Sequence, residues 1–229
     1  MRIVECTQYS PEWWEAKAGV PSASNFHRIF TAKTRKLSAQ IDDYICELIA
    51  DKANPSPPFF TERGGHTAAM RNGLNCEPDA RQFYEVQRKV DVICSPMPGW
   101  GFCTTDDGRF GCSPDGLVNV ADEGGLELKC PELKTHLGYL LKGELPADHV
   151  AQVHGCLVVS GRPWWDYMSY HPDARALLLR ITPNDYTEAL ASALEVFWEK
   201  YQQALAYIEG RPYVAEQMRE SIAMKGGAA

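Results

Sequence analysis

Between residues 90 and 130 the chain consists largely of five short segments rich in strand formers: VDVICS (90–95), GFCTT (101–105), RFGCS (109–113), GLVNV (116–120) and GLELKC (125–130). Pro, Gly and Asp turns separate them, so they read as a strand meander. Helical patterns bracket it. Upstream, Ser10-Pro11-Glu12 has the cap, proline and acid of a helix start, Gly19 closes that helix, and Ser22 can cap a second one running to Phe30. Ser38 can cap a third, along which Ile41, Tyr44, Ile45, Leu48 and Ile49 recur at helical spacing. Residues 53–60 read as a loop, and a helical stretch follows from about His66 to Lys89, interrupted or kinked by Pro78. Downstream come helices at about 132–142 and 147–159, strands at 163–170 and 176–181, and a long amphipathic helix from Asn184 to Glu209. Arg211 to Ala229 reads as a short helix and a loose tail.

A meander so enclosed must bury its sheet between helices. The expected fold class is α/β (α+β), with a central mixed β-sheet flanked by helices. The 229 residues, 45% of them apolar, are enough for one such domain, and no boundary divides them, so 1–229 is read as a single domain. The net charge of −7 excludes a uniformly basic nucleic-acid coat and leaves a local basic groove open. Basic residues gather at Lys33, Arg35 and Lys36 and at Arg81, Arg88 and Lys89. The eight cysteines include no Cys-x-x-Cys pair, which speaks against a zinc ribbon or iron–sulfur cage and for reduced, mostly buried thiols. No signal pattern or bilayer-length apolar run is present, so a cytoplasmic protein without a membrane partner is expected.

The chemistry concentrates in SPDG (113–116) and LELKC (126–130). Alternate strand residues share a face, so Glu127 and Lys129 point one way and Leu126, Leu128 and Cys130 the other, into the core. A turn at Asp122-Glu123-Gly124-Gly125 returns this strand beside the one that starts near Asp115. Two carboxylates, a lysine and the Leu128 carbonyl then meet at a sheet edge. Such hard oxygens suit Mg²⁺ or Mn²⁺, and the set suits phosphodiester cleavage. Separately, the two pieces are also an ordinary turn and an ordinary surface ion pair.

Asp115 followed by Glu127-x-Lys129 resembles the PD-(D/E)xK nuclease signature. The stretches WWEAKAGVPSAS (13–24), GLNCEPDARQFYE (73–85), GCSPDGL (111–117), GLELKCP (125–131) and HVAQVHG (149–155) are similar, in order, to the lambda-exonuclease branch, the YqaJ-like viral recombinases. The resemblance implies a restriction-endonuclease-like core with Glu77, Asp115, Glu127 and the Leu128 carbonyl as ligands of Mg²⁺, two ions per site, with Mn²⁺ as a substitute. It implies that Lys129 activates or positions the attacking water and that Gln152 helps hold water and phosphate. It further implies a 5′-phosphate pocket of Lys17, Ser24 and Ser113, and Met70 as a wedge at the terminal base pair, a residue that core packing also accounts for. Lys17 stands where the family carries a basic residue, arginine in lambda exonuclease, and a further phosphate-binding arginine of the family has Thr135 nearest by count, between Lys134 and His136. The activity so implied is 5′-to-3′ digestion of linear double-stranded DNA to 5′-mononucleotides, by a homotrimeric ring that works with a single-strand annealing protein. Another nuclease of the superfamily, acting as an endonuclease or in repair, is the alternative enzyme. A catalytically silent DNA-end binder is the alternative of another class.

Overall fold

The computed structural model describes residues 1–55, 68–93, 101–118 and 123–210, with the side chains of 68–75 outside that set. Eight strands and six α-helices follow in order: β1 (Arg2–Val4), α1 (Pro11–Lys17), a 3₁₀ turn (Ala23–Arg28), α2 (Ile41–Ala53), α3 (Ala68–Arg88), β2 (Val92–Ile93), β3 (Phe102–Thr104), β4 (Gly111–Cys112), β5 (Gly116–Val118), β6 (Gly124–Lys129), α4 (Leu133–Lys142), α5 (Ala147–Ser160), β7 (Trp164–Ser169), β8 (Leu177–Ile181) and α6 (Asp185–Glu209). The expected central sheet is present, five-stranded in the order β2-β5-β6-β7-β8, mixed because β6 and β7 run parallel and the other pairs antiparallel. The strand-forming segments divide into two sheets, since β1 pairs with β3 and β3 with β4 in a three-stranded sheet of their own.

Alternation along the strands sorts side chains between two cores. Val118, Leu126, Leu128, Trp164 and Met168 pack with Ala80 and Tyr84 of α3. Leu117, Trp165 and Tyr167 face the other way, into a larger core with α5 and α6. Glu127 and Lys129 belong to this second face, as their spacing requires. The strand β7 is buried throughout. It carries Asp166, whose carboxylate is satisfied by Arg180 at 2.9 and 3.1 Å, Arg88 at 3.1 Å and the Tyr84 hydroxyl at 2.9 Å.

Four local expectations are corrected. Ser22 caps no α-helix: Ala23–Arg28 is a 3₁₀ turn, and Ser22 is held extended by a bridge to Gly111 while its N–H donates to the Tyr44 hydroxyl. Ser38 lies before α2, which starts at Ile41. The Phe30–Leu37 bridge and the Ser38 N–H bond to Ile29 keep that stretch extended, so the helix begins only after it. Gly124 and Gly125 are strand residues rather than a turn. A Cβ on Gly124 would stand 2.2 Å from Trp164, and one on Gly125 would stand 2.3 Å from Trp165, their partners in β7. Pro78 does not interrupt α3, which is assigned as one helix from Ala68 to Arg88. The expected tail 211–229 lies outside the described residues. Among the described residues all cysteines are free thiols, and no helix is long and apolar enough to cross a membrane.

Candidate active site

Antiparallel pairing of β5 and β6 sets Gly116 opposite Leu126, so the next step of the register sets Asp115 opposite Glu127. Asp115 is fixed through two different groups. Its Oδ2 accepts the Leu128 N–H at 2.7 Å. Its carbonyl accepts Nε and Nη2 of Arg81, from α3, at 3.3 and 3.2 Å. Glu127 is 1% exposed, an unusual depth for a carboxylate. Its Oε1 accepts Nε2 of Gln152, from α5, at 2.6 Å and also the Lys129 ammonium. Its Oε2 is buried without a hydrogen-bond partner. Glu77 lies on α3 one turn before Arg81 and shares with Asp115 a cleft of about 200 Å³ that Thr7, Gln8 and Tyr9 also line.

The electrostatics follow from crowding three acids around one lysine. Burial, then the charge of Asp115, pushes Glu77 up to about 7, against Arg81 and Lys129. Burial likewise pushes Glu127 up to about 7, with Lys129 opposing and Asp115 and Glu77 adding to the shift. Asp115 is raised by burial despite Lys129, the Leu128 N–H and Arg81. For Lys129, burial works downward, but the charges of Glu127 and Asp115 outweigh it and hold the ammonium above its ordinary range. His149 precedes Gln152 by one helical turn and stacks on Tyr167 at 5.5 Å; burial and then the Lys129 charge push it down to about 4, so it is neutral near pH 7.

Asp115, Glu127, Lys129 and Gln152 are therefore brought together, with Glu77 across the cleft. Leu128 also enters the site, though the contact recorded for it is its N–H. The phosphate candidates are less closely gathered. Lys17 lies 4.5 Å over the Trp13 ring, and Ser113 Oγ accepts that indole N–H at 3.0 Å. The Lys17 ammonium is pushed down to about 8 by burial, against the charge of Asp51. Ser24 is exposed, 3.4 Å from Ser22 Oγ, and it is Ser22 that shares a cavity of about 540 Å³ with Lys17, Asn25 and Asp51. His136 is buried between Ser169 Oγ and the Arg175 carbonyl, so it is no phosphate contact. Lys134 and Thr135 are exposed on α4. Met70 lies on α3, but its side chain is outside the described residues. Sequence reasoning missed Tyr9, Asp51 and the role of Arg81, although the four-residue step from Glu77 to Arg81 places both on one helix face.

Among the described residues no three His, Cys, Asp or Glu side chains stand ready-grouped at metal-ligand spacing. The donor chemistry nevertheless fits a hard divalent cation. Carboxylate oxygens are the ligands such ions prefer, and Glu127 Oε2 is a buried acceptor with nothing to accept from. The Lys129 ammonium on Oε1 supplies the positive charge that the cluster needs in this arrangement.

Comparison with known proteins bears on the family and the fold. The model of the YqaJ-like viral recombinase domain matches residues 12–163. The alkaline exonuclease LHK-Exo from Laribacter hongkongensis superposes with a TM-score of 0.72 and 26% identity, over 87% of this chain and 96% of that one. The same exonuclease in complex with dAMP gives 0.71 and 25% over the same shares. A phage-related exonuclease from Haemophilus somnus 129PT, at 0.58 and 12% identity over 82% of this chain and 96% of that one, shows likeness of fold alone. No curated protein matches the chain.

Proposed function

The chain belongs to the YqaJ-like viral recombinase family, a family of nucleases, and from that premise we propose that it is a Mg²⁺-dependent exonuclease that digests the 5′ strand of linear double-stranded DNA. It releases 5′-mononucleotides and leaves a 3′ single-stranded tail for a single-strand annealing protein. The observation that carries the reading is the convergence on Glu127: Lys129 from its own strand and Gln152 from α5 meet on Oε1, with Asp115 tied to the intervening peptide. A surface ion pair does not recruit a second element to a carboxylate 1% exposed.

Glu77, Asp115, Glu127 and the Leu128 carbonyl would hold the cation. A Mg²⁺ or Mn²⁺ ion so held would supply positive charge to the scissile phosphate and greater acidity to a nearby water. The chain's own groups set the geometry. The Lys129 ammonium and the Gln152 amide donate toward water and phosphate, and the Arg81 and Leu128 bonds fix Asp115. Water adds in line to phosphorus, and the O3′ of the terminal nucleotide leaves and takes up a proton. The phosphate stays on the strand, so each cycle recreates a 5′-phosphate end. Recognition of that end falls to Lys17 and Ser113, grouped by Trp13, with Ser24 at the rim and Met70 as wedge.

The test is digestion of a 5′-phosphorylated linear duplex, labelled separately at each end, with Mg²⁺ present. Wild type should release label from the 5′ end and leave covalently closed circles intact. Lys129→Ala and Asp115→Ala should each lower the rate by about two orders of magnitude or more. Undiminished digestion by both variants would remove the site assignment, and nicking of the circle would favour an endonuclease.

A further inference from the structure

Tyr9 belongs to no strand or helix and has no part in the chemistry above, yet it lines the active-site cleft. Its φ is +67°, a left-handed conformation that bulky side chains rarely adopt. The surrounding structure imposes it. The Ser10 N–H closes the turn onto Thr7 O at 3.0 Å, Ser10 Oγ accepts the Trp13 N–H at the start of α1, and Gln8 Nε2 donates to the Pro114 carbonyl at 2.9 Å. Glycine would occupy this position without strain. The tyrosine held there is 46% exposed, with its ring 5.3 Å from that of Trp13. It lines the cleft with Glu77, Arg81 and Asp115 and lies within electrostatic reach of Glu127 and Lys129. Backbone strain that persists beside a site of this kind points to use.

We propose that Tyr9 is a substrate-contacting residue whose ring packs on the base of the 5′-terminal nucleotide and so places the adjoining phosphodiester over the acids. The inference rests on the exonuclease reading and deepens it. A ring face flanked by carboxylates has no attraction for a phosphate. An uncharged nucleobase is the part of the substrate it can take, and stacking accepts every base, as digestion without sequence choice requires.

The test compares wild type, Tyr9→Ala, Tyr9→Phe and Tyr9→Gly on 5′-phosphorylated duplexes ending in an ordinary or an abasic 5′ nucleotide, with Mg²⁺. On ordinary ends Tyr9→Ala should lower kcat/KM about 10- to 100-fold, chiefly through KM, and Tyr9→Phe should recover most of the loss. On abasic ends wild type should show the same deficit, and Tyr9→Ala should add nothing to it. Tyr9→Gly should lose activity as Tyr9→Ala does while raising Tm by about 2–4 °C, because it relieves the backbone. Equal losses on both kinds of end, no loss on either, or a lower Tm for Tyr9→Gly would overturn the assignment. If wild type digests neither substrate, the exonuclease reading fails and takes the Tyr9 contact with it; if wild type digests both and the variants match it, only the Tyr9 contact fails.

Discussion

Asp115 is held at two points: its carboxylate takes the Leu128 N–H, and its own carbonyl takes the fork of the Arg81 side chain. A ligand so held is only as well aimed as the groups behind it. Arg81→Leu is therefore expected to lower the Mg²⁺-supported rate about 10- to 100-fold with an unchanged circular dichroism spectrum. Arg81→Lys should restore little, since a single ammonium cannot reproduce two N–H donors fixed in one plane and converging on one carbonyl oxygen. A wild-type rate in Arg81→Leu would show that the Leu128 bond alone suffices. Asp115, Glu127 and Lys129 were legible in the sequence because strand pitch fixes which residues share a face. Gln152 and Glu77 were legible only through family resemblance, because a helix-borne Gln or Glu alone reads as a surface residue. Arg81 was read as part of a basic cluster because a carbonyl acceptor leaves no mark in the sequence. Nothing in the letters around Tyr9 announces a positive φ.

The strand pair β6–β7 exemplifies a fit that composition conceals. Gly124-Gly125 lies directly beside Trp164-Trp165 in parallel register, so two residues without side chains face two with the largest. The pair reads as a turn in the sequence because its partner strand is some 40 residues away. Gly125→Ala is expected to destabilise by about 2–4 kcal/mol in urea titrations, as overpacking against the Trp165 ring requires. Combining it with Trp165→Leu should cost less than the two changes added together. Helix contacts yield a pH prediction. His154 of α5 is buried with Nδ1 2.7 Å from Thr187 Oγ1 on α6; burial, then the Arg35 charge, pushes it down to about 4. An unfolded imidazole titrates near about 6.5, so between about 4 and 6.5 the unfolded chain binds more protons. This contribution is complete above about 6.5 and is lost as pH falls toward 4, by at most about 3 kcal/mol. His154→Phe should flatten that part of the stability–pH curve; an unchanged slope would show that His154 is not the group responsible. Most elements were legible because helix and strand periods differ. The starts near Ser22 and Ser38 were not, because β-bridges, a distant one from Ser22 to Gly111 and a local one from Phe30 to Leu37, overrode good local caps.

At the scale of the whole molecule, a net charge of −7 and a polyanionic substrate pull against each other. Part of the conflict is local: Glu77, Asp115 and Glu127 are assigned to cations, which remove their charge from the balance. The remainder bears on how DNA is held. A protein that grips duplex by ion pairs releases counterions, and its affinity falls steeply with salt. A closed ring holds DNA by topology and needs basic groups only along its channel, while its outer surface stays acidic. The homotrimeric ring implied by the family resemblance therefore makes two linked predictions. Light scattering should give about three times the 25.6 kDa chain mass. In digestion assays, raising salt should slow loading onto a free end far more than it slows an enzyme already engaged. An excess of unlabelled linear duplex, added after digestion has begun, should then leave engaged molecules running to the end of their strand. A monomeric mass, or digestion that stops when competitor is added, would mean that this acidic chain holds DNA by its local surface alone, and the ring would have to be abandoned.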